Sequence, residues 1–140
     1  MKIILDGCKI TQSTSSGHIS IEKYVPIGFG EYGWVGGYTT SAKIDGTCKA
    51  STSNVFVNSK KVILKGDNTL ESDSYTLSSD ERYVGGKHTN AQGSITGGNG
   101  NNVYVNGKLL AVTGATVSTH ASNSTTVGND IVSTNVNVGS

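Results

Sequence analysis

Two heptads of the chain repeat one pattern of apolar and polar positions: Asn54-Val55-Phe56-Val57-Asn58-Ser59-Lys60 and Asn102-Val103-Tyr104-Val105-Asn106-Gly107-Lys108. A run of β-branched and aromatic residues bracketed by Asn and closed by Gly or Ser predicts a short strand entering a tight turn. A second apolar strand follows each heptad, as Lys61-Val62-Ile63-Leu64-Lys65-Gly66-Asp67 and Leu109-Leu110-Ala111-Val112-Thr113-Gly114-Ala115. A Val-Gly-Gly run precedes each, Val35-Gly36-Gly37-Tyr38-Thr39-Thr40 and Val84-Gly85-Gly86-Lys87-His88-Thr89, and the chain closes on an echo, Asn135-Val136-Asn137-Val138-Gly139. Such self-similarity means one supersecondary unit used more than once. Each copy is too small to bury its own apolar face, so the copies must stack.

No segment carries apolar residues at three-to-four spacing over three turns, so almost no helix is expected and the fold class is all-β. The 140 residues suit a single domain, 1–140. Residues 1–20 read as a strand over Lys2 to Leu5, a turn at Asp6-Gly7, a short strand around Lys9-Ile10 and a Ser/Thr-rich run to His18. Two stretches depart from the repeat. Residues 21–38 hold five of the nine aromatics, Tyr24, Phe29, Tyr32, Trp34 and Tyr38, among glycines. They predict a long loop folded over an open end of the β core, its rings used as filler, or else an aromatic platform for a sugar or protein partner. Residues 68–83 carry Glu71, Asp73, Asp80, Glu81 and Arg82 and read as a solvated acidic insertion. The carboxylates lack the spacing of a calcium loop.

Only 15% of residues are charged and the formal net charge is +1, with no Lys/Arg run, so nucleic acid is not expected as a partner. The 19 glycines among regular Val/Ile strands mark dense turns and not disorder. No apolar window of 18 residues is present, and Met1-Lys2-Ile3-Ile4-Leu5 is too short for a signal peptide, so synthesis in the cytoplasm is expected. In that compartment Cys8 and Cys48 would stay free thiols.

The three histidines, His18, His88 and His120, fall one after each β unit once the acidic stretch is set aside. If three similar units wrap around an axis, equivalent positions converge on it, and three imidazoles there form a first-row metal site. Zinc or iron would suit, with Cys8, Cys48 or water as the fourth ligand. Against this, Thr39 or Thr40 occupies the place of His88 in the Val-Gly-Gly alignment. Catalysis is not expected. There is no Gly-x-Ser-x-Gly elbow, no carboxylate pair stands out, and Gly97-Gly98-Asn99-Gly100 precedes a strand where a phosphate cradle would precede a helix.

With its Gly/Ser/Thr/Asn runs leading into Asn-Val-Phe/Tyr-Val-Asn-Gly/Ser-Lys, a second strand ending at Gly66-Asp67 or Gly114-Ala115, and a turn with its His, the chain resembles the PAAR-repeat family and its phage relatives. The likeness covers best residues 39–67 and 84–140, and more weakly 1–20. The family's Pro-Ala-Ala-Arg-like step is here Lys60-Lys61-Val62-Ile63 and Lys108-Leu109-Leu110-Ala111, so the chain looks like a divergent member. The resemblance implies a small cone of β-hairpin repeats with pseudo-threefold symmetry and a metal, commonly zinc, at its apex. His88 and His120 match the family's turn His, His18 matches through the weaker copy, and the family's turn Cys has no match. It further implies a non-enzymatic spike tip: a monomer capping a trimeric β-helical spike of a phage tail, type VI secretion system or related contractile particle, and meeting the target membrane transiently. Part of its base would be Val55-Phe56-Val57 and Val103-Tyr104-Val105. The alternative expectation is a carbohydrate-binding or decoration module of a phage particle using Tyr24, Trp34 and Tyr38.

Overall fold

Both heptads fold as hairpins with two-residue turns. The computed structural model of the protein describes residues 1–139. In it Val57 pairs with Lys60 and Val105 with Lys108. The intervening Asn58 and Ser59 have φ of 50° and 65°, and Asn106 and Gly107 have φ of 52° and 79°. Two consecutive positive φ values define the turn whose twist matches that of the flanking strands, and Asn followed by Gly is its preferred filling.

The described residues form thirteen strands and no helix: β1 (Lys2–Ile4), β2 (Ser13–Gly28), β3 (Glu31–Lys49), β4 (Phe56–Val57), β5 (Lys60–Lys61), β6 (Asn68–Ser74), β7 (Glu81–Gly85), β8 (Ala91–Ile95), β9 (Tyr104–Val105), β10 (Lys108–Leu109), β11 (Thr116–Ser118), β12 (Ser124–Thr126) and β13 (Val132–Asn137). The expected all-β class is therefore observed. Seven strands make one antiparallel sheet in the order β12-β11-β8-β6-β3-β2-β7. This sheet curls. Bridges from Lys9 to Thr47 on β3 and from Ile10 to Val127 just past β12 bring its two sides together. Inside the curl lie Ile4, Cys8, Ile10, Cys48, Ile63, Ile95, Ala111, Ala115, Val117 and Val127, all buried. Full burial of each large aliphatic side chain is worth about 1.5–3 kcal/mol.

Below this layer the second strand of each copy ends in the same turn. Cys8 N donates to Leu5 O at 3.1 Å, Asp67 N to Leu64 O at 3.0 Å and Ala115 N to Val112 O at 2.9 Å. The third turn position is Gly7, Gly66 or Gly114, with φ of 87°, 95° and 87°. A Cβ there would be strained, which is why the repeat keeps Gly before an otherwise variable residue. The strands entering these turns close a circuit of main-chain bonds: Ile4 N to Ala111 O, Ala111 N to Ile63 O, and Ile63 N to Ile4 O, at 3.1, 2.9 and 3.0 Å. Bridges Leu5 to Val62, Leu64 to Leu110 and Ile3 to Val112 follow the same circuit. A second apolar cluster of Ile3, Leu5, Val62, Leu64, Leu110, Val112 and Val138 fills this end, with Val55, Val57 and Val105 packed on it. The C-terminal echo also packs at this end. β13 pairs with β1, and Met1 and Val138 exchange main-chain bonds of 2.7 Å in both directions.

Both stretches set apart in the sequence belong to the sheet. Residues 21–38 are no loop over an open end. They are the outer part of the β2/β3 hairpin, Tyr24 opposite Trp34 and Pro26 opposite Tyr32, and their rings face outward, so they do not fill a core. Nor is 68–83 a solvated excursion as a whole. β6 sits in mid-sheet between β3 and β8, with Thr69, Glu71 and Asp73 buried and Leu70 half-buried on the opposite face. The polar side of that strand faces inward, which inverts the usual alternation. Its continuation from Ser78 to Asp80 is exposed throughout.

Candidate metal centre

The inward polar face of β6 gathers the three histidines around one carboxylate. His18 Nε2 lies 2.9 Å and His88 Nδ1 3.0 Å from Asp73 Oδ2, and His120 Nε2 lies 2.8 Å from Oδ1. The three ring centroids are 5.3, 5.5 and 5.1 Å apart, close to an equilateral triangle. One donor atom from each of His18, Asp73, His88 and His120 falls within 4.8 Å of the others.

Each histidine is placed by a local break in strand regularity. His18 sits where the β2/β3 register shifts between Ser15 and Ile19, beside Gly17 at φ 70°; such a bulge re-aims a side chain. His88 lies in the connection between β7 and β8, pinned by its own main chain. Its amide donates to Asp73 Oδ2 at 2.7 Å and its carbonyl accepts from the Asp73 amide at 3.0 Å. Gly86, just before it, runs against the backbone of His18, where a Cβ would stand 2.7 Å from the carbonyl oxygen. His120 occupies the turn between β11 and β12, which is closed by Ser122 N donating to Thr119 O at 3.1 Å.

Glu71, two residues before Asp73 on the same face, completes the arrangement. Its Oε1 accepts from the His120 amide at 2.9 Å and lies 2.6 Å from His120 Nδ1, while Oε2 accepts from the Thr69 hydroxyl. Holding the proton on Nδ1 leaves the Nε2 lone pair of His120 directed at the centre, the usual arrangement around a metal-binding imidazole.

The charge balance of the site calls for a cation. The Glu71 and Asp73 side chains are fully buried, and their ion-pair partners among the described residues are histidines alone. Burial by itself pushes the Asp73 carboxyl up. The bonds from the His88 amide and from the His18 and His88 rings, together with His120, outweigh it and hold the group below the ordinary carboxylate range. Both nitrogens of His120 face carboxylate oxygens, yet a neutral imidazole has one N–H. A proton or a cation bound among these donors would complete that contact. Three imidazole nitrogens and one carboxylate oxygen form a donor set that can hold a divalent first-row ion.

All three sequence-predicted ligands thus come together, and the fourth group is Asp73. Neither cysteine takes part. Cys8 and Cys48 are free and buried in the cluster inside the curled sheet, with Cys8 Sγ 3.3 Å from Asp130 Oδ1. Sequence reasoning missed Asp73 and Glu71 because a strand with acidic residues was read as solvated. The available signal was the period-two spacing of Thr69, Glu71 and Asp73, which puts all three on one face. No protein-family model, curated protein or solved structure matches the chain.

Proposed function

We propose that this chain is a non-enzymatic, metal-stabilised tip that caps a trimeric β-helical spike of a contractile injection particle. The observation that carries this reading is the circuit of main-chain bonds through Ile4, Ala111 and Ile63, with its three matching turns. A homotrimer ends in three equivalent edges. One chain can meet all three only if it offers three similar surfaces, and this circuit, with the hairpins β4/β5 and β9/β10 and the β1/β13 pair around it, supports such a pseudo-threefold base. The exposed Phe56, Val103, Tyr104 and Val136 border it and would be covered in the assembly.

In this reading His18, Asp73, His88 and His120 hold zinc, or alternatively iron, cross-linking β2, β6 and two connections where the interior is polar and burial contributes little. The tip would be made in the cytoplasm and then become part of a virion tail or secretion particle. The sugar-binding alternative is less well supported. Trp34 gives one face to the Arg82 guanidinium at 4.6 Å, and Tyr24 packs on Trp34 and stacks on Tyr32.

Two measurements test the proposal. Elemental analysis of protein never exposed to chelator should find close to one zinc or iron per chain, with both metal content and melting temperature lowered in His88→Ala; values unchanged in both would refute the metal assignment. Native mass spectrometry with the trimeric spike protein of the same particle should give one chain per trimer, and a Phe56→Asp/Tyr104→Asp variant should lose the complex. Three chains per trimer, or no complex with the parent protein, would refute the capping role.

A further inference from the structure

The outer β2/β3 hairpin has a composition ordered along its length. Its turn is Phe29-Gly30, with Phe29 fully exposed and Ile27 beside it 56% exposed. Behind the turn come Pro26 opposite Tyr32 and then Tyr24 opposite Trp34, the Tyr24 ring lying against those of Tyr32 and Trp34 at 5.6 and 5.3 Å. Only then do cations appear, Lys23 over the Tyr38 ring at 5.0 Å and Arg82 over Trp34 at 4.6 Å. From Tyr24 to Ala42 the sole charged residue is Glu31. Both cations at the root are paired, Lys23 with Glu81 at 4.0 Å and Arg82 with Glu22 at 2.5 Å.

We propose that this hairpin is a lipid-insertion arm that docks its Ile27–Gly30 turn into the surface of a bilayer. The apex presents the exposed side chains of Ile27 and Phe29 beside one carboxylate, Glu31 opposite Gly28. Behind it come a collar of Tyr and Trp and then the paired charges, an order that suits shallow docking in which Ile27 and Phe29 enter the lipid while Glu31 stays hydrated at the interface. The arm's charge matches a zwitterionic surface, since it carries almost none and its root is neutralised internally. Trp34 is four residues behind Gly30, at most about 13 Å at ~3.3 Å per residue, so an arm lying obliquely on the surface keeps Trp34 in the interfacial region while only the Ile27 and Phe29 side chains reach the hydrocarbon. The backbone limits the depth. β7 covers the outer edge of β2 from Ser20 to Lys23, with the Tyr24 amide donating to Asp80 O at 2.8 Å just beyond, and β6 covers β3 only from Lys43 onward. The free edges beyond carry N–H and C=O groups that can stay hydrated at the interface but not in hydrocarbon. A sugar platform would need open ring faces, whereas insertion uses ring edges and the aliphatic tip.

This deepens the tip reading by naming the element that meets lipid, and it is tested on the isolated chain, so it can fail while the capping role stands. Trp34, the only Trp, is the reporter. With phosphatidylcholine vesicles the protein should co-float, and Trp34 emission should shift to the blue and be quenched more by lipids brominated near the headgroup than near the chain end. Replacing part of the lipid with phosphatidylglycerol should change partitioning less than threefold. Ile27→Asp/Phe29→Asp, at two exposed positions, should keep the parent melting temperature and lose on the order of a hundredfold in partition coefficient. Absence of co-flotation by the parent protein, or undiminished co-flotation by the double variant, would overturn the proposal.

Discussion

Glu71 holds His120 twice, through the main-chain amide at 2.9 Å and through Nδ1 of the ring at 2.6 Å. One carboxylate therefore fixes both the position of the residue and which of its nitrogens faces Asp73. Glu71→Gln keeps the shape but removes the charge. It should weaken metal binding about 10- to 100-fold, the range for partners of metal-bound histidines, as measured by competition with a chromogenic chelator. Metal-free protein should lose less stability, because in excess chelator the variant gives up the buried Glu71–His120 pair but no metal-binding energy. A variant destabilised equally with and without metal would mean that Glu71 acts only as a packing group.

Gly93 on β8 lies directly against this pair. A Cβ added there would collide with Glu71 Oε2 and approach Ser118 O and Thr69 Oγ1 to 2.6 and 2.7 Å. The Gly93 amide also donates to Thr69 Oγ1 at 3.1 Å, so the strand cannot move off without breaking that bond. Gly93→Ala should cost about 1–3 kcal/mol in urea unfolding, the range for overpacked interiors, and should lower metal affinity along with it. Gly85→Ala, in open space, serves as the control and should be close to neutral.

The sequence was most informative where local chemistry decides structure. Asn58-Ser59 and Asn106-Gly107 announce their hairpins because two residues with positive φ admit few side chains, and Gly7, Gly66 and Gly114 announce the three turns for the same reason. The histidines could be grouped because each follows one β unit in the sequence, although the structure assembles them from a bulge in β2 and two connections. What stayed hidden depends on long-range pairing. Nothing local says that Asn68–Ser74 enters mid-sheet, because its inward face is the polar one, and Thr69, Glu71 and Asp73 look solvated until the histidines are brought to them. The aromatics of 21–38 misled in the opposite way. Their density suggested filler for a core, but the hairpin carrying them extends past the strands that would cover it.

The two hairpin turns differ at one position, and the difference has a predictable sign. Ser59 holds φ 65° where the second copy has Gly107 at φ 79°. A non-glycine residue in the left-handed region costs roughly 1–2 kcal/mol, while Gly at such a site gives back roughly 0.5–1 kcal/mol through the greater freedom of the unfolded chain. Ser59→Gly should therefore stabilise the protein by a few tenths to about 1 kcal/mol, and Gly107→Ser should destabilise it by a similar amount. Chemical denaturation of both variants reads the two signs directly, and a loss on Ser59→Gly would show that the hydroxyl has a role beyond the turn.

Cys8 and Cys48 give the fold a dependence on alkaline pH. Burial pushes Cys8 up to about 11; for Cys48, burial and then the charges of Cys8 and nearby aspartates push the thiol to about 12, against 9.0 for an unperturbed group. Below pH 9 both thiols are protonated whether the chain is folded or not, and they contribute no slope. Above it the unfolded chain releases protons that the folded chain keeps. Stability then falls by about 1.4 kcal/mol per pH unit for each thiol until the folded value is reached. Urea unfolding between pH 8 and 10.5 should show this loss, and Cys8→Ala/Cys48→Ala should remove it. Such a variant starts from lower stability because both thiols fill the interior, so the slope and not the absolute value is the test. Under native conditions at neutral pH neither thiol should react with iodoacetamide, and both should react once urea unfolds the chain. Rapid alkylation of the native protein would mean that the interior around Cys8 opens without global unfolding.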